Sequence, residues 1–239
     1  MSIKDKIAIV QQQLKQAAIL SGRTQEDIRL IAVSKTKSTE MILQALAAGQ
    51  SAFGENRVQE ALGKIEDLTK LPLVEWHLIG HLQKNKVKFC PGNFQWIHTI
   101  DSTELVEKLE ARSAFAQKKI NVLLQVNLSR EITKSGLHDW EDILQVSETI
   151  LSGKWLKLRG LMTIPSPNIG ETPTRKIYEK LRLWRDKLKQ DLDSPEISEL
   201  SMGMTADFHW AIQEGATMIR VGSAIFGERN EDMDSSTNM

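Results

Sequence analysis

Short apolar runs alternate with longer amphipathic runs along nearly the whole chain, and this alternation limits the possible folds more than any other feature. Eight runs have strand character: "IRLIAVS" (28–34), "SAFGE" (51–55), "VEWHLIG" (74–80), "FQWIHTI" (94–100), "NVLLQVN" (121–127), "LKLRGLMTI" (156–164), "SELSMG" (198–203) and "MIRVGSAIFG" (218–227). Between them lie helical patterns such as "STEMILQALAAG", "NRVQEALGKIEDLTK", "STELVEKLEARSAFAQKK", "HDWEDILQVSETILSG" and "TRKIYEKLRLWRDKLKQDL". Several open with Ser, Thr, Asn or Asp, whose side chains satisfy the free N–H groups of a first helical turn. Strand then helix, repeated eight times, predicts a single (β/α)8 barrel. An open doubly wound sheet has the same element order, because periodicity counts elements without showing closure.

The 239 residues suit one such domain over 1–239, since barrels of this type fill ~200–250 residues. Residues 1–22 read as an additional amphipathic helix, with Ile3, Ile7, Val10, Leu14, Ala17 and Ala18 at helical spacing and no continuous apolar core of a signal peptide. No apolar run approaches the ~20 residues needed to cross a bilayer, so a soluble protein without a membrane partner is expected. The 31 basic and 31 acidic residues cancel, which leaves no net field to attract nucleic acid. Cys90 is the single cysteine, so no intrachain disulfide forms, in keeping with a reducing cytoplasm. The Pro/Gly/Thr-rich "PSPNIGETPT" (165–174) reads as a barrel loop or lid. The polar tail, 229–239, is expected to be flexible.

Chemistry in such barrels sits in the loops after the strand C-termini, and polar residues crowd those positions: "SKTK", "GENR", "IGHLQKN", "TIDS", "VNLS", "MTIPS", "SMGMT" and "RVGSA". Lys35 shares the parity of Ile31 and Val33, which places it at the barrel mouth if those two point inward. There it is either a lysine made nucleophilic toward a carbonyl, as Schiff-base chemistry requires, or a rim residue that snorkels to water. Lys37 reads as the solvated one. The segments "SMGMTADFHWAIQEG" and "RVGSAIFGER" each put Gly and hydroxyl residues between a strand and a helical pattern, the usual phosphate cradle of barrels. Backbone amides at Gly203 and Gly222 and the hydroxyls of Ser201 and Ser223 are the candidates, while Thr205 and Asp207 fit helix capping better. Arg220 lies within the last strand, where a buried guanidinium implies an anion or acceptor facing it. An imine-forming lysine, a phosphate cradle and a nearby arginine are what pyridoxal phosphate needs.

The motifs "AVSKTK", "FGENRVQE", "WHLIGHLQKNK", "TIDS", "KSG", "RGLMTIP" and "LSMGMTADFHWAIQEGATMIRVGSAIFG" extend from about residue 31 to 227. Together they resemble those of the pyridoxal phosphate homeostasis proteins, described as alanine-racemase-like N-terminal-domain proteins. The resemblance implies a single barrel that carries pyridoxal 5'-phosphate as an internal aldimine on Lys35. It places Asn56 beside the cofactor, with Ser201, Met202, Gly203, Arg220, Gly222 and Ser223 around the phosphate end. Related racemases set an arginine against the ring nitrogen, so Arg220 has two possible roles, ring or phosphate. His77 and His81 flank the third strand end; His77 is either a cofactor neighbour or a packing and hydrogen-bonding residue. Thr205 stands where the commoner family form has serine.

Two functions share this site. The first is a non-enzymatic protein that holds pyridoxal phosphate reversibly and serves vitamin B6 and amino-acid homeostasis, as a cytoplasmic monomer that passes the cofactor to client enzymes. The second is an amino-acid racemase or decarboxylase with Lys35 as its single base. A racemase needs acid–base groups on both faces of the substrate Cα, and the only tyrosine, Tyr178, falls in an amphipathic helix expected on the outside of the barrel. A third reading uses the basic stretch "QKNKVKF" as a regulatory surface, against the simpler one of a solvated face. No metal site is expected.

Overall fold

In the computed structural model, which describes residues 1–68, 74–129, 131 and 135–228, eight parallel strands close into a barrel in sequence order. They are β1 (Arg29–Val33), β2 (Ala52–Glu55), β3 (Glu75–Leu78), β4 (Trp96–Ile100), β5 (Ile120–Gln125), β6 (Leu156–Met162), β7 (Glu199–Ser201) and β8 (Met218–Val221). β1 pairs with β8 from Arg29 opposite Met218 to Ala32 opposite Val221. That seam closes the barrel and excludes the open sheet.

The helices are α1 (Ile3–Leu20), α2 (Thr39–Ala47), α3 (Val58–Asp67), α4 (Thr103–Ala116), α5 (Trp140–Ser152), α6 (Glu171–Asp191), α7 (Phe208–Gln213) and α8 (Ser223–Phe226). A 3-10 helix, Lys84–Phe89, takes the helix position between β3 and β4. Ser2, Ser38 and Ser102 cap α1, α2 and α4 by accepting from the backbone N–H three residues on. The buried face of α1 consists of the six residues whose spacing marked it, and it packs on α2, α7 and α8. α6 begins within the expected 165–174 loop, because Pro173 in its first turn gives up an N–H that has no helical partner anyway. The run "MIRVGSAIFG" divides into β8 and α8 at Gly222. Asn56 opens no helix, since Arg57 is the N-cap residue of α3. The tail 229–239 and Lys134 of "KSG" lie outside the described residues.

Two apolar layers result. The larger fills the space between the outer strand faces and the helices, and a smaller one, Ile31, Ala52, Trp96, Leu123, Met162 and Met218, lies inside the barrel. Ile31 thus points inward, as the parity of Lys35 requires. Among the described residues no helix is long and apolar enough to cross a membrane.

Candidate functional site

A cleft of about 430 Å3 opens at the C-terminal end of the barrel, lined among others by Lys35, Asn56, Arg220, Gly222 and Ser223. Five of the residues singled out from the sequence therefore share one cavity. Thr205 and Lys37 line it too. Lys37 is not simply solvated: its Nζ donates to the carbonyl of Glu228 over 2.9 Å.

Lys35 leaves β1 on a constrained turn. Thr36 has φ +61°, a left-handed conformation uncommon for a threonine. Three groups hold it there. The Thr36 N–H donates to Glu60, Lys64 Nζ donates to the carbonyl of Ser34 at 2.7 Å, and Ser34 Oγ donates to Glu55 Oε1 at 2.6 Å. Lys64 also reaches Glu55 at 2.8 Å and Glu60 at 2.7 Å. Burial raises the pKa of Glu55, and the nearby Lys64 cation opposes that rise. The clamp comes from α3, a helix chosen in the sequence only for its periodicity. A lysine on the buried face of an amphipathic helix, downstream of a strand that ends in glutamate, was the signal available.

Arg220 is buried, and among the described residues its side chain meets a hydroxyl and a carbonyl and no carboxylate. Its Nη1 donates to Ser201 Oγ at 2.6 Å and its Nη2 to the carbonyl of Thr163 at 3.0 Å. Burial lowers its pKa, but an arginine remains a cation. Ser201 therefore supports Arg220 from beneath instead of lining the cleft. Met202 is likewise turned away, into the layer between strands and helices. Gly203 is buried with φ +91°, and a Cβ on it would stand 2.6 Å from that of Ala211. Its structural requirement is the close approach of α7, and its carbonyl accepts from the Arg220 N–H.

At the other wall, Ser223 Oγ donates to Thr205 Oγ1 at 3.2 Å, so Thr205 belongs to the cleft and not to a helix cap. Asp207 does not cap α7 with its side chain. It accepts from the Met204 N–H at 2.6 Å and from the Tyr178 hydroxyl at 2.8 Å, and burial holds that phenol protonated. Asn56 is fixed by Gly80, where a Cβ would fall 2.2 Å from the Asn56 carbonyl oxygen.

His77 lies outside the cleft lining. Both its ring nitrogens are engaged inside the barrel, Nε2 with Glu75 at 2.7 Å and Nδ1 with His98 at 2.9 Å. His81 borders a smaller adjoining pocket of about 210 Å3 that shares Asn56, Ile79 and Ile164 with the main cleft. Among the described residues no group of His, Cys, Asp or Glu is placed to hold a metal.

A family model described as the N-terminal domain of alanine racemase matches residues 10–230. The chain is 41% identical over 232 residues to a pyridoxal phosphate homeostasis protein of Pasteurella multocida, spanning 96% of this chain and 99% of that one. To the protein of the same name from Escherichia coli K12 it is 38% identical, over 95% and 97% of the two chains. Among solved structures it is similar to PipY of Synechococcus elongatus with pyridoxal phosphate bound: 36% identity, TM-score 0.84, and 95% and 100% of the two chains covered. An alanine racemase of Clostridium difficile, 16% identical with a TM-score of 0.74 over 95% of this chain and 58% of that one, shares the fold.

Proposed function

The chain belongs to the family of pyridoxal phosphate homeostasis proteins, within the alanine racemase N-terminal domain class, and from that premise we propose that it binds pyridoxal 5'-phosphate in this cleft and holds it without turning over a substrate. One observation carries the reading: Lys35, Arg220 and the Thr205–Ser223 hydroxyl pair face a single cavity of about 430 Å3. When bound, the cofactor supplies an aldehyde that reacts with amines and a phosphate that needs donors.

In this reading Lys35 Nζ would be the amine that meets the aldehyde, a reversible condensation that gives up water and takes it back on release. The hydroxyls of Ser223 and Thr205, with the backbone at Gly222, take the phosphate. Arg220 presents a donor that keeps its proton; set against the phosphate it would add a donor there, and set against a ring nitrogen it would leave that nitrogen unprotonated and the ring a weak electron sink. That suits storage better than carbanion chemistry. Tyr178, hydrogen-bonded to Asp207 and outside the cleft lining, is not placed to act as a second base. Storage in a reducing compartment by a monomer, with transfer to client enzymes, completes the proposal.

The test is to record the visible absorbance of the purified protein, reduce it with borohydride and map the pyridoxyl adduct by peptide mass. An adduct on Lys35 that is absent in Lys35→Ala is the expected result. A protein that stays colourless and unmodified in excess cofactor overturns the site. Deuterium exchange at the α-carbon of amino acids, catalysed by the wild type and lost in Lys35→Ala, overturns the storage role in favour of a racemase or decarboxylase.

A further inference from the structure

The lower half of the barrel interior is threaded by polar side chains that the binding reaction does not use. At the N-terminal face Arg29 Nη1 meets Glu75 Oε1 at 2.9 Å, beside a polar cleft of about 390 Å3 that both residues line. From Glu75 the contacts run upward: to His77 Nε2 at 2.7 Å, from His77 Nδ1 to His98 Nε2 at 2.9 Å, from His98 Nδ1 to Ser201 Oγ at 2.9 Å, and from Ser201 Oγ to Arg220 Nη1 at 2.6 Å. His77, His98 and Ser201 are fully buried, while the Glu75 side chain is 33% exposed. The chain thus connects one end of the barrel to the guanidinium in the cleft at the other.

Its hydrogen bonds have one direction. A guanidinium only donates, so Ser201 Oγ accepts from Arg220 and turns its own proton to His98 Nδ1. His98 then carries its proton on Nε2 and gives it to His77 Nδ1; His77 carries its proton on Nε2 and gives it to Glu75. Both imidazoles are neutral in this arrangement. Burial pushes the pKa of each down, His98 well below its ordinary value, with the neighbouring His77, Arg220 and Arg29 adding to the effect on His98. Burial opposes ionisation of Glu75, but the hydrogen bond from His77 and the Arg29 charge outweigh it and keep the pKa below its ordinary value. The other groups facing the chain are Trp96, whose ring stacks on His77 with Arg29 over it, and the Tyr178–Asp207 pair near Arg220. Asp207 is already occupied by Tyr178 and the Met204 N–H.

We propose that Ser201, His98 and His77 form a positioning relay that links Glu75, at the opposite end of the barrel, to the Arg220 guanidinium, so that the N-terminal face and the cofactor cleft are coupled. Polarised hydrogen bonds in a chain strengthen one another at low dielectric, and a cation buried without a carboxylate contact is the group that gains most from it. The proposal takes from the functional reading only that the upper cleft holds pyridoxal phosphate. It assigns roles to Glu75, His77 and His98 that a purely packing interior would not give them.

Long-range 1H–15N spectra of the histidine rings in the cofactor-free protein, from pH 5.5 to 8, together with titration by pyridoxal phosphate followed by absorbance, test it. His77 and His98 are expected as neutral rings protonated on Nε2. Glu75→Gln, which keeps an acceptor and removes the charge, is expected to shift the His98 ring resonances two links away. It should also weaken cofactor uptake by about 5-fold or more, the lower range of coupling between sites. Arg29→Met, at a half-exposed position, removes the cation that shares the Glu75 carboxylate, so it should move the His98 resonances in the direction opposite to Glu75→Gln, and it serves if Glu75→Gln does not fold. A cationic imidazole or an Nδ1 proton in the wild type overturns the relay, as does a folded variant with His98 resonances and affinity unchanged within two-fold. A wild type that takes up no cofactor while showing the expected tautomers overturns the functional reading and leaves the relay's geometry standing.

Discussion

Lys64 Nζ lies 2.8 Å from Glu55 Oε1, and the same ammonium donates to the carbonyl of Ser34, directly before Lys35. The backbone that leads into Lys35 is therefore held by a second lysine. Glu55 is fully buried and Lys64 nearly so, and removing one partner of such a pair leaves an uncompensated charge.

Lys64→Met is expected to cost about 3–5 kcal/mol, the usual penalty for breaking a buried pair from one side, as read by urea unfolding at pH 7. Because the folded pKa of Glu55 is already raised by burial, protonating it relieves the stranded charge. The loss should therefore shrink as pH falls toward 5 and grow above neutrality. A loss independent of pH would show that Glu55 is not the group left unpaired.

His77 and His98 are held neutral, with pKa values below that of an unfolded imidazole. Between those folded values and about pH 6.5 the unfolded chain binds more protons than the native one. Their contribution to stability is complete above about pH 6.5 and is lost as pH falls below it, at up to ~1.4 kcal/mol per pH unit for each proton taken up. His98→Gln should flatten the pH dependence measured between pH 7 and 5.5. A wild-type curve already flat in that interval contradicts the assignment.

Gly80→Ala is expected to weaken cofactor uptake and to destabilise by about 1–3 kcal/mol, the usual cost of overpacking. The new Cβ would stand 2.2 Å from the Asn56 carbonyl oxygen and 2.7 Å from its Cα. Backbone has to move, and Asn56 moves with it. Thermal unfolding and cofactor titration measure the two effects separately.

Tyr178→Phe removes one hydrogen bond to Asp207, which keeps its bond from the Met204 N–H. The expected loss is about 1 kcal/mol, with cofactor uptake within two-fold of the wild type. A loss of uptake beyond ten-fold would instead bring Tyr178 into the site.

Cys90 is buried and its thiol is pushed up to about 12 by desolvation, so at pH 8 it is a thiol, not the reactive thiolate. Ellman's reagent should find no group in the native protein within minutes and one after denaturation. Rapid reaction of the folded protein would place Cys90 at the surface.

The barrel was legible in the sequence because each element carries its own period. The six residues marked in the first helix are its six buried ones, and the parity of Ile31 and Lys35 holds because strand alternation is strict. What the sequence left open were contacts between elements distant in the chain. Ser201 reads as a phosphate ligand on its motif, yet its hydroxyl is taken by Arg220, 19 positions on, and by His98, 103 positions back. Asp207 looks like a cap because an aspartate precedes a helix, and only the fold brings Tyr178 within reach. His98, inside "FQWIHTI", has strand-interior parity and nothing local to mark it.

The cleft lies across the seam between β1 and β8, with Lys35 following one and Arg220 within the other. The two strands are separated by most of the chain, and pairing over that distance is a slow step in folding. During synthesis the lysine emerges early and has no cleft to sit in until the last strand arrives and the ring shuts. Any molecule that bridges the two sides then acts as a clasp on the newest junction of the molecule.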